Sequence, residues 1–409
     1  MSIPPFSTDS TGVLHVRQHG GTLEFPVHYM RGGTSTGVVI WEPLLPQDEG
    51  LRNELLRHLM GVPLVGPQPD NRQITGLGRG VATSNKVFLA TIEEAPVGPR
   101  IVSTLAQLAS DHGDIDWSVN CGNMSSALQL WAMDMGFIES RINAVSDVEI
   151  RNTNTGVVTV SRMSRTAGGQ FVTAEIPGVN GAFPGVDLFL QAPVGSKTGA
   201  LLPTGQVLER IAGIDVSCVD VAVPMVIVGA ASLGKTAHEP MAELVADSAF
   251  MAQLKTLWVQ AGLKMQLRRR DGGLMTAEDL ARSETVPKIC IVGAPRHGGH
   301  VAVRYFTPQT GHGSMAVSGG CCLAAACLIE GTTAHSVARG IVPPTAFFTD
   351  IEVSIENPAG LLDTTVTARI AEQQIDIQAA AYRRSTQILM RGYVPLYRAS
   401  DALISALLL

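Results

Sequence analysis

Ser118 to Met133 reads SVNCGNMSSALQLWAM, and Gly311 to Gly331 reads GHGSMAVSGGCCLAAACLIEG. Each stretch opens on a lead-in rich in glycine, serine or asparagine. Each then becomes apolar or small on every side, with no polar stripe. A helix without a polar face must be buried nearly all round. The second is expected over roughly Met315 to Ile329. Alternating, β-branched segments surround both: 11–40, 87–92 and 142–176 in the first half, and 216–230, 287–308 and 351–396 in the second. Helical spacing is clear at 48–60, and a long amphipathic helix is expected over 239–268. The pattern therefore predicts an α+β chain built twice over, each half a curved sheet around one buried helix. There is no short repeat period and little letter-for-letter identity between the halves.

The chain has 409 residues, 45% hydrophobic and 16% charged, with a formal net charge of -6. That length suits two or three domains with large cores. The one basic triplet, Arg268 to Arg270, is followed at once by Asp271 and reads as a solvated helix end, so nucleic acid is not expected. No basic-then-apolar leader and no bilayer-length apolar run stands out. The six cysteines show neither a disulfide framework nor a C-x-x-C pair. These features predict a cytoplasmic protein with reduced thiols.

Cys121 sits at a helix start between Asn120 and Asn123, where thiols become more acidic and anions bind. Cys218, Cys290, Cys321, Cys322 and Cys327 lie in apolar runs and read as small core residues. The stretch MRGGTSTG places Arg31 beside Thr34, Ser35 and Thr36. GLGRGVATSNK gathers glycines with Thr83, Ser84 and Lys86 but lacks the P-loop spacing. Lys86 opens an apolar strand, where partial burial lowers an ammonium pKa and suits it to act as a base. His112 reads as a turn residue, and His312 and Ser314 as groups at the second helix lead-in that could meet an anion.

The motifs MRGGTSTG (30–37), TSNKV (83–87), NCGNMS (120–125), NTNTG (152–156), GSKTGALLPTG (195–205) and IENPAG (355–360) keep their order along nearly the whole chain. Together they resemble the family of 2-methylaconitate isomerase and 4-oxalomesaconate tautomerase, which also includes 3-methylitaconate and aconitate Δ-isomerases. The resemblance implies a diaminopimelate-epimerase-like fold: two pseudo-symmetric β-rich domains, each around a central helix, with the active site between them. It places the first domain at 1–190 and 385–409 and the second at 191–384. It implies Lys86 and Cys121 as the proton-transfer pair. Substrate contacts follow from the other motif positions: Arg31, Thr34, Ser35 and Thr36; Thr83, Ser84 and Asn85; Gly122, Asn123 and Met124; Ser196 and Thr198; and His312, Ser314 and Met315. Thr36 stands where members often carry lysine.

The implied reaction is a 1,3-allylic proton shift, or a cis-trans isomerisation, in an unsaturated di- or tricarboxylate. It needs no cofactor and no metal. Either of Lys86 and Cys121 could take the proton. The implied partner is the small polycarboxylate, with no nucleic acid or membrane, and the resemblance leaves room for a homodimer. Three rivals stand beside it. A two-base amino-acid racemase would want a second thiol where Ser314 stands. A cysteine hydrolase would want a histidine against Cys121. A non-catalytic carboxylate-binding protein would exchange no protons.

Overall fold

The computed structural model describes residues 15–81, 84–269 and 271–408. They form two compact units. The first runs through Glu175, resumes over Val179–Leu188 and again from Arg384; the second comprises Ile176–Gly178 and Phe189–Arg383.

In the first unit, strands Thr22–Gly32 and Ser35–Trp41 form a hairpin closed by Gly33 and Thr34. Gly33 takes φ 54°, open to glycine at no steric penalty. Ser35–Trp41 then runs parallel to Lys86–Ala95, through a crossover that holds helix Glu49–Met60. Asp48 caps that helix by accepting the Leu51 N–H at 2.9 Å, and Gly61 ends it with φ 68°. Its buried face, Leu55, Leu56, Leu59 and Met60, shares a core with Val38, Ile40 and Leu403. Lys86–Ala95 pairs antiparallel with Gly98–Leu108. Gly98–Leu108 pairs parallel with Ala144–Asn152, across a second helical crossover. Ala144–Asn152 pairs antiparallel with Val158–Arg165.

The second unit has the same order of pairings. Ile214–Val221 and Val223–Gly229 form a hairpin, and the latter runs parallel to Lys288–Gly293. Lys288–Gly293 pairs antiparallel with Val301–Thr307. That strand is parallel to Thr349–Asn357, which is antiparallel to Gly360–Ala371. The all-apolar stretch of each unit lies in its second crossover. In the second unit it is helix Val317–Leu328, buried at every residue from Gly319 onward. Gly319 is required there, because a Cβ would lie 2.5 Å from the Tyr305 ring.

Two helices differ from expectation. The stretch after Cys121 is not one helix but two, Gly122–Ser125 and Leu128–Asp134. The break is local hydrogen-bond competition: the Ser126 hydroxyl donates to the Asn123 carbonyl at 2.6 Å, and Ala127 N–H turns tightly onto the Met124 carbonyl. Leu128 to Ala132 remain buried. The 239–268 helix likewise divides into Met241–Ala246 and Ser248–Lys264. Asp247 is extended between them and accepts the Phe250 N–H at 3.0 Å, so capping chemistry overrides a continuous amphipathic pattern.

His28 is buried in the first unit, with Nε2 3.0 Å from an Asp134 oxygen that also accepts from Arg391 at 2.7 Å. Burial pushes the His28 pKa below 6.5 and outweighs the upward pull of Asp134. A histidine that resists protonation when folded favours the folded state above its unfolded pKa. Stability should therefore fall as pH drops below about 6.5. Urea midpoints from pH 8 to pH 5.5 should show a shallower acid decline in His28→Gln than in the parent. Equal slopes would dismiss His28 as the source.

Candidate active site

Three glycines bring the first unit's motifs together. A Cβ on Gly32 would lie 2.5 Å from the Asn123 carbonyl oxygen, and one on Gly33 would lie 2.4 Å from Asn123 Oδ1. A Cβ on Gly37 would lie 2.6 Å from the Lys86 carbonyl oxygen and 3.2 Å from Met124 Cε. The hairpin can thus lie directly on the Cys121 turn and on the first residue of the Lys86 strand.

Lys86 is buried at the start of its strand, opposite Gln107. Burial pushes its ammonium below the ordinary 10.5, and Cys121 is the charge partner opposing that shift. Cys121 is extended at the N-cap of Gly122–Ser125, and its own N–H is held by Asn120 Oδ1 at 2.7 Å. Its carbonyl accepts from Ser125 N–H and Oγ at 2.9 and 3.0 Å. Cys121 is half-buried, whereas the other five cysteines are buried. Burial pushes the thiols of Cys218 and Cys327 up to about 12, which makes them inert as acids or nucleophiles near neutrality. The backbone N–H groups of Gly122 and Asn123 open a helical turn and have no acceptor within it. A buried amine, a half-buried thiol and backbone N–H donors at the start of a helical turn can move a proton and hold the negative charge that results.

Asn123 is fixed from both sides. Its Nδ2 donates to Thr34 Oγ1 at 3.1 Å, and its Oδ1 accepts from Arg384 Nε at 3.0 Å. Arg31 faces inward: its Nη1 donates to the carbonyls of Gly33 and Ser385, and its guanidinium stacks on Phe183. Its Nη2 is buried without a hydrogen-bond partner among the described residues. Ser35 is buried, and Thr36 Oγ1 accepts from Tyr29 at 3.4 Å. Asn85 holds the loop before Lys86 through Oδ1 and the Arg79 N–H, at 3.2 Å, and Ser84 is half-buried beside it. Met124 is buried. Thr83 lies outside the described residues. His112 is a turn residue, its Nδ1 accepting the Asp114 N–H.

Within the second unit, Ser196 and Thr198 hydroxyls both donate to buried Asp220, at 2.6 and 2.9 Å. That carboxylate also takes the N–H groups of Lys197 and Thr198 and so shapes the GSKTG loop. His312 Nδ1 accepts the Ser314 N–H at 3.0 Å, which leaves the proton of the neutral ring on Nε2. Burial lowers its pKa below 6.5 and keeps it neutral. Ser314 Oγ donates to Asn357 Oδ1 at 3.2 Å, and Met315 is buried ahead of the helix.

Sequence reasoning missed Arg384, Asn154 and Asp220. Asn154 ties the Trp117 carbonyl, just before Cys121, to both backbone groups of Leu105. Arg384 carried one signal: an arginine at an inward-facing position of the strand AAAYRRST.

The family model described as PrpF protein matches residues 22–397. The chain belongs to the PrpF family. Among its relatives, 4-oxalomesaconate tautomerase of Pseudomonas putida is 33% identical over 377 residues, covering 91% of this chain and 96% of that protein. The (4E)-oxalomesaconate Delta-isomerase of Novosphingobium is 32% identical, covering 90% and 96%. A crystal structure of methylitaconate-delta-isomerase superposes with TM-score 0.77 at 25% identity, over 94% of this chain and 97% of that one. This PrpF-family chain is an isomerase with the fold of that enzyme. No helix among its described residues is long and apolar enough to cross a membrane.

Proposed function

We propose that this isomerase moves a carbon–carbon double bond within an unsaturated tricarboxylate of the oxalomesaconate type, by a 1,3-proton shift between Lys86 and Cys121. The reading rests on one observation above all: a buried lysine whose charge partner is a half-buried cysteine at the start of a helical turn. The relatives named for oxalomesaconate support the substrate class. We infer also that the fold is diaminopimelate-epimerase-like, from the repeated order of strand pairings and the helix in each second crossover.

The neutral Lys86 amine takes the proton at one end of the allyl system. The electron pair spreads through the shifting double bond into the adjacent carboxylate or keto oxygen. The Gly122 and Asn123 N–H groups stabilise that oxyanion; one such preorganised donor is worth roughly 2.7–4 kcal/mol. The Cys121 thiol returns a proton at the far carbon, leaving a thiolate beside an ammonium, and proton exchange between them or with water resets the pair. The opposite assignment, thiolate as base and ammonium as acid, balances equally. Ser314 in place of a second thiol, with its hydroxyl held by Asn357, disfavours the two-thiol racemase.

Proton NMR in deuterated water tests this. Incubation with 4-oxalomesaconate should give double-bond migration, with deuterium at one allylic carbon. Binding without exchange would overturn the isomerisation mechanism in favour of a carboxylate-binding protein.

A further inference from the structure

The second unit holds a cluster that the proton shift does not use. A ring nitrogen from each of His238 and His297 and a carboxylate oxygen of Glu356 lie within 4.8 Å of one another. They line a cavity of about 280 Å³ with Arg304 and Asn357. The three come from separate segments: the loop before helix Met241–Ala246, the loop between strands Lys288–Gly293 and Val301–Thr307, and the end of strand Thr349–Asn357.

Two of the three donors, His238 and Glu356, are oriented by further hydrogen bonds. His238 Nε2 lies 2.9 Å from the Ala294 carbonyl, which can only accept, so that nitrogen carries the proton and Nδ1 keeps its lone pair. An imidazole oriented through a backbone carbonyl is the usual outer shell of a metal-binding histidine. Glu356 is buried, and its Oε1 accepts N–H groups from Arg296, His297 and Gly299. Among the described residues its Oε2 accepts from Arg296 alone, at 2.9 Å, which leaves a lone pair for a ligand. The two rings stand edge to face with centroids 5.9 Å apart. Arg304 is a cation lining the same cavity. Its Nε donates to the Glu239 carbonyl, and the Glu239 carboxylate acts on its charge.

We propose that His238, His297 and Glu356 bind one divalent transition-metal cation of the zinc type, which clamps the three segments. Two imidazoles and one carboxylate suit such ions, whereas magnesium and calcium prefer all-oxygen sites. The clamp is structural and does not rest on the isomerase reading: it is argued from the convergence of His238, His297 and Glu356 alone.

The test is titration of EDTA-treated full-length protein with Zn²⁺ by calorimetry and with Co²⁺ by visible absorption. One equivalent should bind, Co²⁺ should show the intense bands of a low-coordinate site, and Zn²⁺ should raise the melting temperature. His297 is exposed, so His297→Ala should fold normally while weakening binding by at least about tenfold and abolishing the thermal shift. His112→Ala and Cys121→Ser should bind as the parent does. Absence of stoichiometric binding in the parent, undiminished binding in His297→Ala, or loss in either control would overturn the site.

Discussion

Lys86→Met is expected to lower kcat by about 10²–10⁴-fold, the range typical of a lost general acid or base. Methionine keeps most of the buried stem and discards only the amine, so the fold should survive. Burial penalises the charged lysine, as its lowered pKa records. Urea stability of the variant should therefore equal or exceed that of the parent, which separates a catalytic loss from a folding defect. The pH profile gives a second readout. With Lys86 as base, kcat/KM should rise with pH through an ionisation below 10.5, because only the neutral amine accepts a proton. In Lys86→Met that limb should vanish. Full turnover in the variant, or an unchanged limb, would remove Lys86 from the mechanism.

Cys121→Ala should cost a comparable 10²–10⁴-fold, roughly, in isomerisation. With Lys86 intact, the first proton transfer survives. The variant should wash deuterium into the carbon facing Lys86 without moving the double bond. Cys121→Ser should fall between the two, since serine keeps the size and a weaker acid. A raised KM at unchanged kcat would instead make Cys121 a wall of the carboxylate pocket. Alkylation offers an independent check: iodoacetamide should label Cys121 before the five buried cysteines, and substrate should protect it.

Much of the candidate site is legible because its residues are compressed into short motifs. Cys121 stood out by contrast with five cysteines set in apolar runs, and Lys86 by its place at the mouth of an apolar strand. The motif names Arg31 but not what else its guanidinium holds: Nη1 braces the hairpin turn and the strand at Ser385. The resemblance implies Ser196 and Thr198 as substrate contacts, and the motif does not reveal that their hydroxyls also engage Asp220. Hydroxyl-rich, glycine-rich loops look alike in sequence whether they bind a ligand or a buried carboxylate of their own chain.

The sequence by itself determined the helix at Val317–Leu328, the strands around it, and which thiol differs from the rest. Those follow from hydrophobic period and local composition, which act over a few residues. It also held the break at Ser126 and the cap at Asp247, although periodicity alone hid both. Only the tertiary structure decided what surrounds the Cys121 turn. Arg384 reaches Asn123 across 261 positions of sequence, and Gly32, Gly33 and Gly37 matter because other backbones press against them. His238, His297 and Glu356 likewise meet only because three distant segments converge. Such contacts arise from the packing of whole elements, and no local period encodes them.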